Sequence, residues 1–166
     1  MGGLPLNALL CRFRGEKERE PLHVPDCGLD YVYQLNGYTL HETRHGPGFS
    51  FRDVFGMHRV LGHHLANLRR PLTGQELRFL RVGMELSQQE LGGLLGLSDQ
   101  QVARWEKGAN QISGAANILF RCLYLESLGC KVNLRTFAGR LQEPDDGPTG
   151  PVVLRSKEKW ELSFAN

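Results

Sequence analysis

The sequence holds no apolar run near the roughly 18 residues that span a membrane, and no internal repeat. It also has no CxxC pair. Cys11, Cys27, Cys122 and Cys130 are widely spaced, which suits a reduced, cytosolic chain better than a disulfide framework. No large excess of one charge sign exists: 20 Lys and Arg stand against 18 Asp and Glu, leaving a formal charge of +2. Net charge therefore argues for no particular partner, and a nucleic-acid case must rest on where the charges sit. The opening Met1-Gly-Gly-Leu-Pro-Leu-Asn-Ala-Leu-Leu lacks the basic start and the length of a secretory signal. Position six is Leu6, where myristoylation wants Ser or Thr. A bacterial cytoplasmic location without membrane attachment is expected.

Catalytic patterns are missing too. No nucleophile–base pair stands out, and Gly92-Gly93 falls inside a helical pattern rather than in a phosphate-cradling loop. His58 and His63 are five apart, not at the i, i+4 spacing of a helical metal pair. No enzymatic activity is expected.

What is present is a soluble composition, 40% apolar and 23% charged over 166 residues, enough for one domain or two small ones. The patterning predicts an α+β chain in three parts: a strand-rich module with a linking helix over 1–70, a helical domain over 71–141, and a linker and tail over 142–166. In Met1–Asp26 the bases Arg12, Arg14, Lys17 and Arg19 alternate with Glu16, Glu18 and Glu20, the mark of a solvated face. Leu29–Phe51 reads as strands. Tyr31-Val-Tyr-Gln-Leu is aromatic and β-branched, and Asn36-Gly37 predicts a hairpin turn into Tyr38–Thr43. Gly46-Pro47-Gly48 reads as a break before a third short strand at Phe49-Ser-Phe. Ser50 with Asp53 predicts a capped helix over about Arg52–Asn67, ended by Arg69-Arg70-Pro71. Gln142–Pro151 reads as a linker. The alternation of Trp160, Leu162 and Phe164 favours a docked strand over a free tail.

The middle of the chain carries the strongest pattern. Thr73 with Glu76, and Ser87 with Glu90, form capping boxes. Ser98 starts a third helix. Gly96 and Gly108 stand where helices stop on a left-handed residue. A fourth helix is expected over about Gly114–Leu128. Two short helices joined by Leu95-Gly96-Leu97-Ser98 make a helix-turn-helix, with Leu91, Leu94, Leu95, Leu97, Val102 and Trp105 as its core. Gly92 lies where the two helices must cross closely.

With Val102 and Trp105 inward, Gln100, Arg104 and Lys107 share the outer face of the third helix, with Gln101 beside them. Glutamine can bind adenine by two hydrogen bonds and arginine can bind guanine at O6 and N7. Gln100, Gln101 and Arg104 are therefore the candidate base contacts in a major groove. Ser87, Gln88, Ser98 and Lys107 are the candidate phosphate contacts, the first three at helix starts.

Thr73–Leu128 resembles the Cro/repressor-type (XRE) helix-turn-helix family, through Leu86-Ser-Gln-Gln-Glu-Leu-Gly-Gly-Leu-Leu-Gly-Leu-Ser and Val102-Ala-Arg-Trp-Glu-Lys-Gly. The resemblance implies that Arg104 contacts DNA and that Glu106 pairs with Arg81. Two positions depart from the family: Glu85 stands where glycine is common, and Gly93 replaces a helix former. A left-handed Glu85 would be strained, so the first helix is expected to end differently.

A strand-rich module, a linking helix and this motif together resemble the MqsA/YgiT-type antitoxins of toxin–antitoxin operons. That resemblance implies a homodimer that represses its own operon at a palindromic duplex site and neutralises a toxin protein. The alternative is a stand-alone regulator whose first module senses a ligand or protein; a third possibility is a non-DNA adaptor. Those antitoxins hold zinc on paired CxxC motifs, which are missing here. Cys11, His23 and Cys27, with His41 or His45, could supply soft ligands, but their spacing is irregular. Isolated thiols and surface histidines are the preferred reading, so no cofactor is expected. Leu125 and Leu128 on the fourth helix are the first candidates for a dimer face.

Overall fold

The computed structural model describes residues 21–24, 27–143 and 150–164. Cys11, the mixed-charge run Arg12–Glu20 and most of the expected linker lie outside them. The chain divides into two compact units, 1–60 with 148–166, and 61–147. The boundary falls at Val60, inside a helix, rather than after residue 70, and the carboxy-terminal tail joins the first unit.

In the first unit, β1 (Leu22–His23), β2 (Val32–Gln34), β5 (Val152–Ser156) and β6 (Trp160–Phe164) form one sheet in the order β1-β2-β5-β6. The β2–β5 pair is parallel, with Val32 opposite Val152, and its neighbours are antiparallel. Val152, Val153 and Leu154 are all buried, as a central strand covered on both faces requires. The tail thus docks as two strands. Val24, Leu29, Val32, Leu35, Met57 and Trp160 are also buried in this unit.

The expected hairpin at Asn36-Gly37 does not form. β3 (Tyr38–Thr43) pairs instead with β4 (Gly46–Phe51) in a separate two-stranded ribbon. Its turn is Arg44-His45, with the positive φ of 108° just after it, at Gly46. Gly46-Pro47-Gly48 is therefore strand rather than break. At Asn36 the chain follows β5 instead: Leu35 N–H donates to Leu154 O at 2.9 Å, and Ser156 N–H donates to Asn36 Oδ1 at 2.6 Å. Gly37 has φ 83°, and a Cβ there would lie 2.9 Å from Ser156 Cβ. The glycine signal marked a real left-handed residue, but its cause is close passage beneath β5.

α1 (Val54–Asn67) starts two residues after the expected Arg52. Ser50 belongs to β4, and Asp53 Oδ1 accepts from Gly56 N–H at 2.8 Å. Asp53 Oδ2 also accepts from Trp160 Nε1 at 3.2 Å.

The second unit contains α2 (Gly74–Gly83), α3 (Gln88–Leu95), α4 (Asp99–Glu106), α5 (Gly114–Ser127) and α6 (Leu134–Arg140). α6, capped by Asn133, was not anticipated. The core gathers Leu61, Leu65, Leu77, Leu80, Leu91, Val102, Trp105, Phe120, Tyr124, Leu125 and Phe137. Leu125 is 4% exposed and Leu128 half-buried, so Leu125 is spent inside the unit and is not available as a dimer face. Leu94 and Leu97, expected in the core, are 53% and 39% exposed. In this eight-residue helix Leu91 is buried and Leu95, four positions on, is half-buried.

Two buried charged groups fix the start of this unit. Arg121, 0% exposed, donates to the carbonyl of Ala66 in the last turn of α1, to those of Leu68 and Arg70 past its end, and to Asn117 Oδ1. A cation at the carboxyl end of a helix satisfies its orphan carbonyls and opposes its dipole. Glu76, also buried, takes two bonds from Arg70, at 2.6 and 2.9 Å, and one from Thr73 N–H at 2.8 Å. Each fully buried charge is thereby paired or hydrogen-bonded, as it must be to be tolerated.

Candidate nucleic-acid interface

The interface is built from α3, the turn after it and α4. Ser87 Oγ accepts from Glu90 N–H at 3.1 Å, and Glu90 returns the bond to Ser87 N–H at 2.7 Å. The Ser87 backbone N–H, with a smaller contribution from the Ser87 side chain, holds the Glu90 carboxyl below its usual pKa. α3 ends on Gly96 at φ 69°, and Leu97 N–H closes back on Gly92 O at 2.8 Å. Only glycine reaches that φ without cost. Gly92 is needed for another reason: a Cβ there would meet Leu97 O at 2.8 Å and Ser98 C at 3.1 Å. Ser98 Oγ then accepts from Gln101 N–H at 3.2 Å and starts α4.

Val102 and Trp105 turn α4 inward and are buried. Gln100, Arg104 and Lys107 are exposed on the opposite side, with Gln101 half-buried beside them. Gln100 and Arg104 are one helical turn apart, so their side chains project from neighbouring points of one surface. Among the described residues, none of these side chains makes a hydrogen bond or ion pair. The polar face of α4 thus has no structural task.

What holds α4 in place lies at its end. Arg81 Nε donates to Glu106 Oε1 at 2.5 Å and Arg81 Nη2 to Glu106 Oε2 at 3.1 Å. A third donor, Nη1, reaches Leu86 O at 2.6 Å. Arg81 therefore joins α2, the connection after it and α4.

The candidate phosphate contacts separate. Ser87, Ser98 and Lys107 are exposed, and both hydroxyls, used within the helix starts as acceptors, still have a proton to donate. The Gln88 side chain is committed inside the fold, donating from Nε2 to Glu106 Oε2 at 2.8 Å. Only its backbone N–H, among the first four that no intrahelical carbonyl can take, is left for a phosphate. The tie between Gln88 and Glu106 has no local sequence signal, because 18 residues separate the partners.

Glu85 is left-handed, with φ 59°. The strained geometry is adopted rather than avoided. Glu85 N–H donates to Val82 O at 2.9 Å and Leu86 N–H to Arg81 O at 3.2 Å, the paired bonds of a Schellman ending.

Among the described residues the zinc candidates are not assembled. His23 Nε2 lies 2.9 Å from Asp30 O, and Cys27 Sγ donates to Val24 O at 3.1 Å. His41 Nε2 meets Ser50 Oγ at 2.7 Å. Among the described residues no group of three His, Cys, Asp or Glu side chains could hold a metal ion; Cys11 lies outside them.

Among the described residues no helix is long and apolar enough to cross a membrane. No curated protein and no solved structure matches the chain, and nothing extends the likeness to the antitoxin-type arrangement. Residues 77–116 do match the helix-turn-helix family model. The matched stretch runs from within α2 to within α5 and contains all of α3, the turn and α4. Match and geometry together support a DNA-binding transcriptional regulator.

Proposed function

We propose that this protein is a sequence-specific transcriptional repressor that binds a palindromic duplex as a homodimer, with α4 in the major groove. The observation that carries the reading is the outer face of α4. It presents an amide and a guanidinium one turn apart, both exposed, with no partner among the described residues. Gln100, Gln101 and Arg104 read base edges. Ser87, Ser98 and Lys107 and the start of α3 take phosphates.

Selection of binding duplexes from a random pool tests this. The expected result is an enriched pseudo-palindrome with half-sites about one helical turn apart. Affinity for it should fall steeply with salt, because phosphate neutralisation releases counterions. A flat salt response, or no enriched sequence, contradicts the reading.

The narrower proposal is that the repressor is the antitoxin of a toxin–antitoxin operon and controls that operon. It is supported by the presence, in one chain, of a strand-bearing unit and the helix-turn-helix. Co-expression with the product of the adjacent gene tests it. Failure to bind that product or to rescue growth leaves the stand-alone regulator.

A further inference from the structure

The second unit contains a cleft of about 340 Å³ walled by α1, the connection between α5 and α6, and α6 itself. We propose that it binds a small organic anion carried on an apolar body, of the aromatic carboxylate class. Its size lies at the low end of small-molecule sites. Leu125, Val132 and Phe137 supply apolar surface, and His63, Lys131 and Arg140 supply cationic or protonatable groups. Among the described residues no Asp or Glu lines it.

The Arg140 guanidinium is already in position. Its Nη2 donates to Asn67 Oδ1 at 2.5 Å, and Asn67 Nδ2 in turn donates to His63 O at 2.7 Å. The guanidinium also sits 5.1 Å from the centroid of the Phe137 ring. A cation held this way loses little further rotamer freedom on gripping an anion. Among the described residues neither Lys131 nor Arg140 has a carboxylate partner, while Glu143 pairs with Arg69 at 3.4 Å. Two cations at the rim of an apolar pocket, with no carboxylate partner among the described residues, suit a carboxylate group whose hydrocarbon part enters the cleft. A ligand of the same size and opposite charge gains nothing there.

The test is an NMR titration of the full chain with salicylate, and separately with benzamidine, a cation of similar size. Salicylate is expected to give saturable shifts at Cys130–Asn133 and Thr136–Arg140, and benzamidine none. Lys131→Ala and Arg140→Gln should each weaken salicylate at least fivefold. Arg135→Ala, which removes a cation from α6 outside the cleft, should leave it unchanged. Lys131 is exposed, so its variant stays folded and decides the matter even if the Arg140 variant does not. Equal binding of benzamidine, shifts that never saturate, or salicylate affinity unchanged by Lys131→Ala overturns the proposal. So does a loss in these variants of duplex affinity alone, which would make the cations phosphate contacts.

Discussion

Arg81 and Glu106 meet through two parallel bonds, at 2.5 and 3.1 Å, with side chains only 11% and 5% exposed. Pairs this deep are worth less as stabilisers than as constraints: removing one partner strands a buried charge and costs about 3–5 kcal/mol, whereas replacing both with apolar groups is often near neutral. Arg81→Ala is therefore expected to lower unfolding free energy by about that amount. Arg81→Met with Glu106→Leu should recover most of it, less what Gln88 and the Leu86 carbonyl lose as partners. Urea denaturation of the single and double variants checks this; additive losses would show that the pair does not act as a unit.

Glu85 is the one non-glycine residue with positive φ among those described. A left-handed side chain costs roughly 1–2 kcal/mol, and glycine returns part of that gain through its freer unfolded chain. Glu85→Gly should therefore raise stability by about 1 kcal/mol, seen as a higher Tm. A lower Tm would mean that the exposed carboxylate contributes more than the backbone strain takes.

Neighbouring glycines in α3 should respond oppositely to alanine. At Gly92 the new Cβ meets the backbone of Leu97 and Ser98, which cannot step aside; overpacking of this kind costs about 1–3 kcal/mol. At Gly93 nothing lies within 4 Å, and alanine gains about 1 kcal/mol of helix propensity. Thermal melts of the two variants should move in opposite directions. A stabilised Gly92→Ala would refute the close crossing of α3 and α4.

Burial holds the His58 imidazole below its ordinary pKa of 6.5. The unfolded chain takes up the proton first as pH falls, so the stability His58 contributes is full above about pH 6.5 and is lost as pH drops toward the folded value. Between about pH 7.5 and 5.5, His58→Gln should lose less Tm than the native protein. An equal loss would place the acid sensitivity elsewhere.

The helix-turn-helix was legible in the sequence because its signals are local. Thr73, Ser87 and Ser98 each bond a backbone N–H three residues on, and Gly96 and Gly108 close helices on left-handed turns. The candidate site came with it, since inward Val102 and Trp105 leave Gln100 and Arg104 outside. The strands were partly legible, but the strand order was not. The partner of β2 is β5, with Gln34 opposite Leu154, and nothing within a few residues of Gln34 announces so distant a strand. Asn36-Gly37 consequently looked like a hairpin turn. Arg121 gave no sign either: within the apolar run Ile118–Leu128 it reads as a surface position, yet it is buried against the carbonyls that follow α1.

The most direct measurement is the affinity of Arg104→Ala for the selected duplex and for a scrambled duplex of equal length, by fluorescence anisotropy at fixed salt. A bidentate arginine–guanine contact is worth about 1–3 kcal/mol of discrimination. The variant should therefore bind the selected duplex about 5- to 150-fold more weakly, lose much less on the scrambled one, and keep the native Tm. Unchanged affinity for the selected duplex would contradict the placement of α4 in the groove, and with it the account of this protein as a sequence reader.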